Sequence, residues 1–338
     1  MTAVTAYSSI RPARSDDAAA LVALRCSVYP YLVRGEETTR RMILSPPPGE
    51  DRIFRVAERD GETVGCVSAF RDPRSADAGF GRIALHVHPS HRGRGIGTAL
   101  LAEAAAHLRS AGVRQASVWA LPESVEFARA RGFDVSRELR FSALDLAGFD
   151  AGPAAGFEAG PAAGFDAGPA AGFDAGPAAG FGAGPAAGTD GIRLLPLREV
   201  DGQALYEADV AAATDEPGDV PSQPTPYPTW RYEIWEEPGL DRDASTVALA
   251  DGVIVSFSLL LRDGDRAWSD MTATVPEHRG RGLARLVKTA TLRRAAASGI
   301  RVAYTSNDES NAPMLAVNAR LGYRQIATQF SCLTTLTD

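Results

Sequence analysis

The sequence has little cysteine, no long apolar run and no excess of positive charge. Its three cysteines, Cys26, Cys66 and Cys332, are far apart and lie among apolar neighbours. An odd, scattered set of this kind predicts buried thiols in a reducing compartment and excludes a disulfide framework or a cysteine metal site. The net charge of −7 excludes a chain drawn as a whole to nucleic acid or to an anionic membrane.

Apolar runs are short throughout the chain. None approaches the ~18 residues of a membrane span, and residues 1–14 lack the long apolar core of a signal peptide. A cytoplasmic location is therefore expected. The length of 338 residues favours two domains.

A low-complexity segment divides the sequence. From Gly148 to Ala187 an octapeptide of the type Gly-Phe-Asp-Ala-Gly-Pro-Ala-Ala runs five times. Each unit has one large apolar side chain among glycine and proline, which is too little to offset the entropy of ordering the backbone. The pattern predicts a linker over 148–188 between an N-terminal domain, 1–147, and a C-terminal domain, 189–338. Docking of the regularly spaced phenylalanines on a partner is the alternative.

The two flanking segments have the same predicted order of elements. Each begins with a strand and an amphipathic helix, continues with three strands, a long helix and a strand, and closes with a short helix and a strand. Two copies of one α/β fold explain this repetition.

An arginine and glycine loop precedes each long helix. Arg92-Gly93-Arg94-Gly95-Ile96-Gly97 follows a strand that ends Leu85-His86-Val87-His88-Pro89, and Arg279-Gly280-Arg281-Gly282-Leu283-Ala284 follows Thr272-Ala273-Thr274-Val275-Pro276. Glycine lets the backbone approach a ligand, and a helix start adds free N–H groups and positive potential. Both loops therefore predict anion sites, most naturally for a diphosphate.

Other phosphate loops fit the pattern less well. A dinucleotide fingerprint needs G-x-G-x-x-G after the first strand of a unit, and a P-loop needs Gly-Lys-Ser or Gly-Lys-Thr. Neither loop has these features. A nucleic-acid loop is weakly supported, because only two arginines stand in each loop of an acidic chain.

On these residues both segments resemble the GNAT acyltransferase superfamily, whose signature R/Q-x-x-G-x-G/A after a strand is matched at 92–97 and 279–284. The second segment adds Asn307 to Met314 and Leu321-Gly322-Tyr323, which are similar to the superfamily's second motif. The pair of motifs is similar to its tandem, mycothiol-synthase-like members. The resemblance implies an α/β (α+β) GNAT fold in two tandem copies, each a mixed, mostly antiparallel central sheet flanked by helices.

The resemblance also implies acetyl-CoA as cosubstrate, without a metal. The two loops would bind its diphosphate, and the backbone of Leu85 to Val87 and of Thr272 to Thr274 would hold the pantetheine arm and the thioester. Asn311 would bond to amides of that arm. The implied reaction transfers acetyl to the primary amine of a small molecule, with no nucleic-acid or membrane partner and with the oligomeric state open.

The catalytic residues are less clearly marked. A tyrosine acid is frequent in the superfamily four residues before the helix-ending glycine, where this chain has Ala128 and Asn318. A cationic amine must lose a proton before it attacks, and Asp270, Glu309 and His86 are the candidate bases. A solvated or merely structural role is the alternative for each of them. A non-catalytic acyl-CoA-binding module and a protein-lysine acetyltransferase therefore stay open as alternative functions.

In this superfamily the segment between the first helix and the second strand covers the acceptor site. Pro217 to Tyr232 is rich in proline and aromatic residues, which would wall a pocket or only pack the domain. Tyr29 to Leu44 carries Glu36 and Glu37, which would meet a cationic amine or lie solvated on a surface turn. The fuller second motif favours the second segment as the catalytic one.

Overall fold

The computed structural model describes residues 7, 9–149, 191–212, 218–221 and 223–336. Nearly all of the octapeptide repeat, and with it most of the predicted linker, lies outside the described residues. The part of the chain up to Phe149 is called the first half below, and the part from Gly191 the second half. No helix in the described ranges combines the length and the apolar character needed to cross a membrane.

The first half follows the predicted order of elements, with one addition. Its described strands are β1 (Ser9–Pro12), β2 (Ile53–Arg59), β3 (Glu62–Arg71), β4 (Phe80–Val87), β5 (Gln115–Ala120) and β6 (Asp134–Asp145). Its helices are α1 (Ala18–Val28), α2 (Glu36–Leu44), α3 (Ile96–Ser110) and α4 (Val125–Arg129).

Helix α2 is the addition, and it corrects the expectation of a surface turn at Glu36 and Glu37. Both acids lie in the first turn of this helix, where negative charge is favourable, and both pair with Arg40. The two carboxylates are therefore engaged within their own helix.

The second half repeats this order. Its described strands are β7 (Ile192–Pro196), β8 (Thr246–Ala250), β9 (Val253–Asp263), β10 (Arg266–Thr274), β11 (Val302–Asp308) and β12 (Arg324–Thr335). Its helices are α5 (Gly202–Ala212), α6 (Tyr227–Trp230), α7 (Leu283–Ala297) and α8 (Ala312–Leu321).

All the described strands form one sheet, in the order β1-β2-β3-β4-β5-β12-β6-β11-β10-β9-β8-β7. The two halves exchange their last strands. Strand β12 pairs with β5, for example Phe330 with Ala120, and β6 pairs with β11, for example Ser142 with Thr305. Each half therefore needs a strand of the other half to complete its sheet.

The sheet is mixed. Its neighbouring strands are antiparallel except for β4 with β5 and β10 with β11, which are parallel. Helix α3 packs on β2, β3 and β4, and α7 packs on β8, β9 and β10, so each long helix covers its own apolar core. The predicted fold class, two tandem copies of a mixed sheet flanked by helices, is confirmed.

A buried ionic network joins the halves beside the exchanged strands. The guanidinium of Arg137, in β6, donates to Asp219 at 3.1 Å and to Asp308 at 2.8 Å. Asp219 also accepts hydrogen bonds from the hydroxyls of Ser136 and Ser331, and its side chain is only 1% exposed. Among the ion pairs of the described ranges, Arg137 is the cation that both carboxylates share.

We expect Arg137→Met to lower the free energy of unfolding by about 3–5 kcal/mol, because it leaves buried carboxylates without a counter-charge. Arg129→Met is the matched control, since Arg129 pairs with Glu126 on the surface and such pairs contribute less than about 1 kcal/mol. Urea denaturation measures both variants. Small and equal losses of unfolding free energy in the two variants would contradict a structural role for the network.

Candidate functional site

The two arginine and glycine loops have nearly the same backbone. The φ angles are 72° and 83° at Gly93 and Gly95, and 75° and 80° at Gly280 and Gly282. This left-handed region is open to glycine at little cost. A Cβ at Gly93, Gly95 or Gly280 would meet no atom within 4 Å, so each loop is a cradle with open space beside it.

The first cradle presents unused donors. The N–H groups of residues 93–98 donate to no backbone carbonyl in the part of the chain that the structure describes. They stand at the start of α3, where the helix dipole adds positive potential. The residues present therefore fit a diphosphate held by backbone N–H groups.

An arginine fastens each loop to the strand before it. The Nε of Arg92 donates to the carbonyl of Val87 at 3.3 Å, and the Nε of Arg279 donates to that of Thr274 at 3.1 Å. Arg92 also pairs with Glu123 at 3.4 Å. These contacts shape the loops, and a direct contact of either arginine with a cofactor stays a prediction.

Beyond each parallel strand pair the sheet opens into a notch. Strand β4 pairs with β5 only over residues 80–83, and β10 pairs with β11 only over residues 266–268. The rest of each strand, which includes Leu85 to Val87 and Thr272 to Thr274, has one edge facing the gap. An extended ligand can enter there as an additional strand.

A cleft of about 270 Å³ occupies the notch of the first half. The predicted residues that line it are Leu85, Val87, Arg92, Gly93, Ile96 and Gly97. Trp119 and Phe127 also line it and were missed by the sequence analysis, and Tyr29, which begins the segment expected over the acceptor site, lines it as well. They come from separate elements and no shared motif marks them.

The second half differs from the first in strand β10, which has a bulge between Ser269 and Thr272. Strand β4 has an unbroken register. Bulges redirect a strand and are frequent next to active sites. Asp270 lies in the bulge with its side chain exposed, and it accepts a hydrogen bond from the indole of Trp268 at 3.2 Å.

The other two candidate bases have different surroundings. Glu309 follows β11, is about half exposed and lies 3.5 Å from Arg140 of β6. His86 lies on β4 between two cleft-lining residues, so its side chain faces the opposite side of the sheet. There it contacts the ring of Tyr29 edge-on and lies 3.7 Å from the Cys66 thiol.

Burial makes this histidine and this cysteine electrically neutral near pH 7. Burial, with a contribution from the charge of Arg25, lowers the pKa of His86 to about 4. Burial also raises the pKa of Cys66 to about 12. His86 is consequently a weak base, and Cys66 is far from a reactive thiolate.

The remaining sequence predictions fall on capping and packing residues. The Asn311 side chain caps α8 by accepting the N–H of Met314 at 3.2 Å, which leaves its amide nitrogen for a ligand. In the proline and aromatic segment Trp230 is only 2% exposed, and its indole donates to Asp209 at 2.6 Å. Packing therefore accounts for Trp230.

Acid should destabilise the protein through His86. Its folded-state pKa of about 4 lies below the ordinary 6.5, so the unfolded chain binds this proton first. The stabilisation from neutral His86 is complete above pH 6.5 and is lost as the pH falls towards 4. Between pH 7 and 5, urea denaturation should show a smaller loss of stability for His86→Gln than for the parent protein. Parallel curves would contradict a partly buried, neutral histidine.

The comparisons with known proteins agree with the two-part organisation. The profile described as the acetyltransferase (GNAT) family matches residues 20–133 and 205–323, once in each half. Over 123 residues the chain is 38% identical to mycothiol acetyltransferase of Nocardiopsis dassonvillei. The matched stretch covers 35% of this chain and 35% of that protein. The match thus spans about a third of the length of this curated relative. A second match, 28% identical over 152 residues, covers 42% of this chain and 97% of aminoglycoside N(6')-acetyltransferase type 1 of Stenotrophomonas maltophilia.

Two solved structures share the tandem arrangement. A tandem GNAT protein from the clavulanic acid biosynthesis pathway has a TM-score of 0.67 at 20% identity, over 98% of this chain and 99% of that chain. A GCN5-related N-acetyltransferase from Sphaerobacter thermophilus has a TM-score of 0.66 at 17% identity, over 98% and 96%. At these identities the likeness concerns the fold.

Proposed function

The chain belongs to the acetyltransferase (GNAT) family, and we propose that it is an N-acetyltransferase that moves acetyl from acetyl-CoA to the primary amine of a small molecule. The observation that carries the proposal is the repeated pairing of an open glycine loop with a notch in the sheet. The names of the two curated relatives, which concern mycothiol and aminoglycosides, support a small-molecule acceptor.

Backbone groups do most of the binding in this proposal. The free N–H groups at the start of α3, or the corresponding groups at the start of α7, hold the diphosphate, and the pantetheine arm lies in the notch along β4 or β10. A backbone N–H of that strand donates to the thioester carbonyl and stabilises the oxyanion that forms on it. Asn311 donates its amide N–H to the arm in the second half.

The amine attacks the thioester carbon directly, without a covalent enzyme intermediate. An amine with a pKa of about 10.4 arrives as a cation and needs a base. We propose Asp270, exposed in the bulge of β10, as that base, acting directly or through water. Glu309, paired with Arg140, and the weakly basic His86 are the lesser candidates. A thiol with a pKa of about 8.5 leaves readily, so the acid missing at Ala128 and Asn318 is dispensable.

Replacing Asp270 tests the base. Asp270→Asn should lower kcat with the small-molecule amine by about 100-fold, as for loss of a general base, with little change in KM for acetyl-CoA. Glu309→Gln is the matched control and should lower kcat by less than about tenfold. Thiol release measures both. The reverse ranking would assign the base to Glu309.

Replacing the loop glycines tests which half is catalytic. Gly282→Glu should reduce thiol release by about 100-fold or more, because the carboxylate enters the anion site. Gly282→Ala is the control, since it shares the backbone strain of about 1–2 kcal/mol but adds no charge. Gly95→Glu and Gly95→Ala give the same comparison for the first half. Loss of turnover with Gly95→Glu alone would make the first half catalytic.

The absence of the usual acid at Ala128 and Asn318 favours a binding module as the second candidate. Isothermal titration with acetyl-CoA, run beside thiol release over a panel of amines, separates the two functions. Tight binding without release for any amine would favour the module. Acetylated lysines in a cell extract treated with the protein, found by mass spectrometry, would favour a protein substrate.

A further inference from the structure

Helix α7 carries the sole lysine of the sequence, Lys288. Lys288 stands six residues after Gly282, where the first half has Leu101 six residues after Gly95. Leu101 lines the cleft of the first half. The equivalence of the loops and helices therefore places Lys288 on the corresponding wall of the second notch.

Two further positions differ between the halves in the same way. Phe133 and Tyr323 each follow the glycine after a short helix. Ile83 lies three residues after Phe80, where β4 begins to pair with β5, and Ser269 lies three residues after Arg266, where β10 begins to pair with β11. The apolar triplet of the first half is Ile83, Leu101 and Phe133, and the polar triplet of the second half is Ser269, Lys288 and Tyr323.

The polar triplet is buried and incompletely bonded. Ser269, Lys288 and Tyr323 are 1%, 2% and 6% exposed, and the Nζ of Lys288 lies 5.1 Å from the centre of the Tyr323 ring. The hydroxyls of Tyr323 and Ser269 are neighbours, yet neither has a partner of good hydrogen-bond geometry in the described ranges. Buried polar groups are nearly always bonded, so this cluster lacks a hydrogen-bonding group that a ligand can supply.

The cluster offers donors and no negative charge. Burial alone lowers the pKa of Lys288 to about 7. Of the elements packed on α7, which are β8, β9, β10 and α8, none in the described chain brings a charged group that shifts this pKa. Arg281 and Arg285 precede Lys288 on its own segment and are positive. A site of this character selects an oxygen acceptor over a cationic amine.

Only lysine gives this site a changeable charge. Arginine stays protonated wherever it lies, whereas a buried lysine gains or loses its proton as its surroundings change. Every other residue of the Lys and Arg set is arginine, so Lys288 is the single side-chain amine of the sequence.

The place of Lys288 along α7 indicates which part of an extended ligand would reach it. A helix rises about 1.5 Å per residue, so Lys288 lies about 7.5 Å along the axis from Leu283 at the helix start. Side chains lean towards the helix N-terminus. A ligand that leaves its diphosphate at the loop and enters the notch passes this wall early in its length.

On the basis of the proposed function, we propose that the polar triplet is a donor subsite that binds an oxygen acceptor in the pantetheine arm of CoA, and that Lys288 takes up a proton when the arm binds. The amine supplies the hydrogen bonds that the arm's carbonyl and hydroxyl oxygens need. The arm in turn supplies the partner that the buried hydroxyls of Ser269 and Tyr323 lack.

A single lysine makes the test direct. Protein labelled with ε-13C-lysine gives one ε signal, which should titrate near pH 7 in the free protein and about one pH unit higher or more with saturating CoA. ADP, which has a diphosphate but no arm, should move the midpoint less than half as far. A midpoint unmoved by CoA would overturn the inference, and so would an equal shift with ADP. Absence of any CoA binding by isothermal titration would instead remove the proposed function.

The first half provides a matched variant. Ser269→Ile, Lys288→Leu and Tyr323→Phe together install the apolar triplet that the first half carries at the equivalent positions. CoA affinity of the second loop should fall about tenfold or more, as for loss of a hydrogen bond to a charged group, with the melting temperature unchanged or higher. Tyr323→Phe alone keeps the shape and should weaken CoA by a smaller factor. Unchanged affinity in both variants would make the triplet merely structural and overturn the proposal.

Discussion

Pairing between the halves holds both notches open. Strand β5 is bonded along its whole length to β12, and β11 to β6. A strand fixed on its far edge cannot follow a neighbour that diverges from it, so β4 leaves β5, and β10 leaves β11, after a few residues. The far walls of the notches are β5 and β11, and each is paired on its other edge with a strand of the other half. The proposed cofactor sites therefore depend on the exchange.

Local patterns were enough to predict the elements that build the site. Glycine spacing and the switch from strand to helix periodicity marked both loops, because a left-handed glycine before a helix leaves a local signature. The sequence did not predict which strands β6 and β12 pair with, because pairing within a half and pairing across the halves satisfy the same alternating pattern. Helix α2 was missed because its apolar positions are few and its signal lies in the Glu36 and Arg40 pair.

The two halves show how one fold carries different chemistry. Their loops agree closely in φ angles, yet one notch has an apolar triplet and an unbroken strand, and the other has a polar triplet and a bulge. The bulge at Asp270 is a shift of register, which a sequence does not display. The count of lysines was a usable signal, because a single lysine among 35 Lys and Arg residues departs from the composition around it.

The exchange also sets how far the connection between the halves must reach. Strand β7 lies five strands from β6 in the sheet. Along the strand direction, the last residue of β6 and the first residue of β7 are at opposite ends. At about 4.8 Å per strand and about 3.3 Å per residue along a strand, the gap is about 40 Å, which about a dozen extended residues would bridge. The interval from 150 to 190 greatly exceeds that minimum. The number of octapeptide copies can therefore drift during evolution without disturbing the assembled sheet.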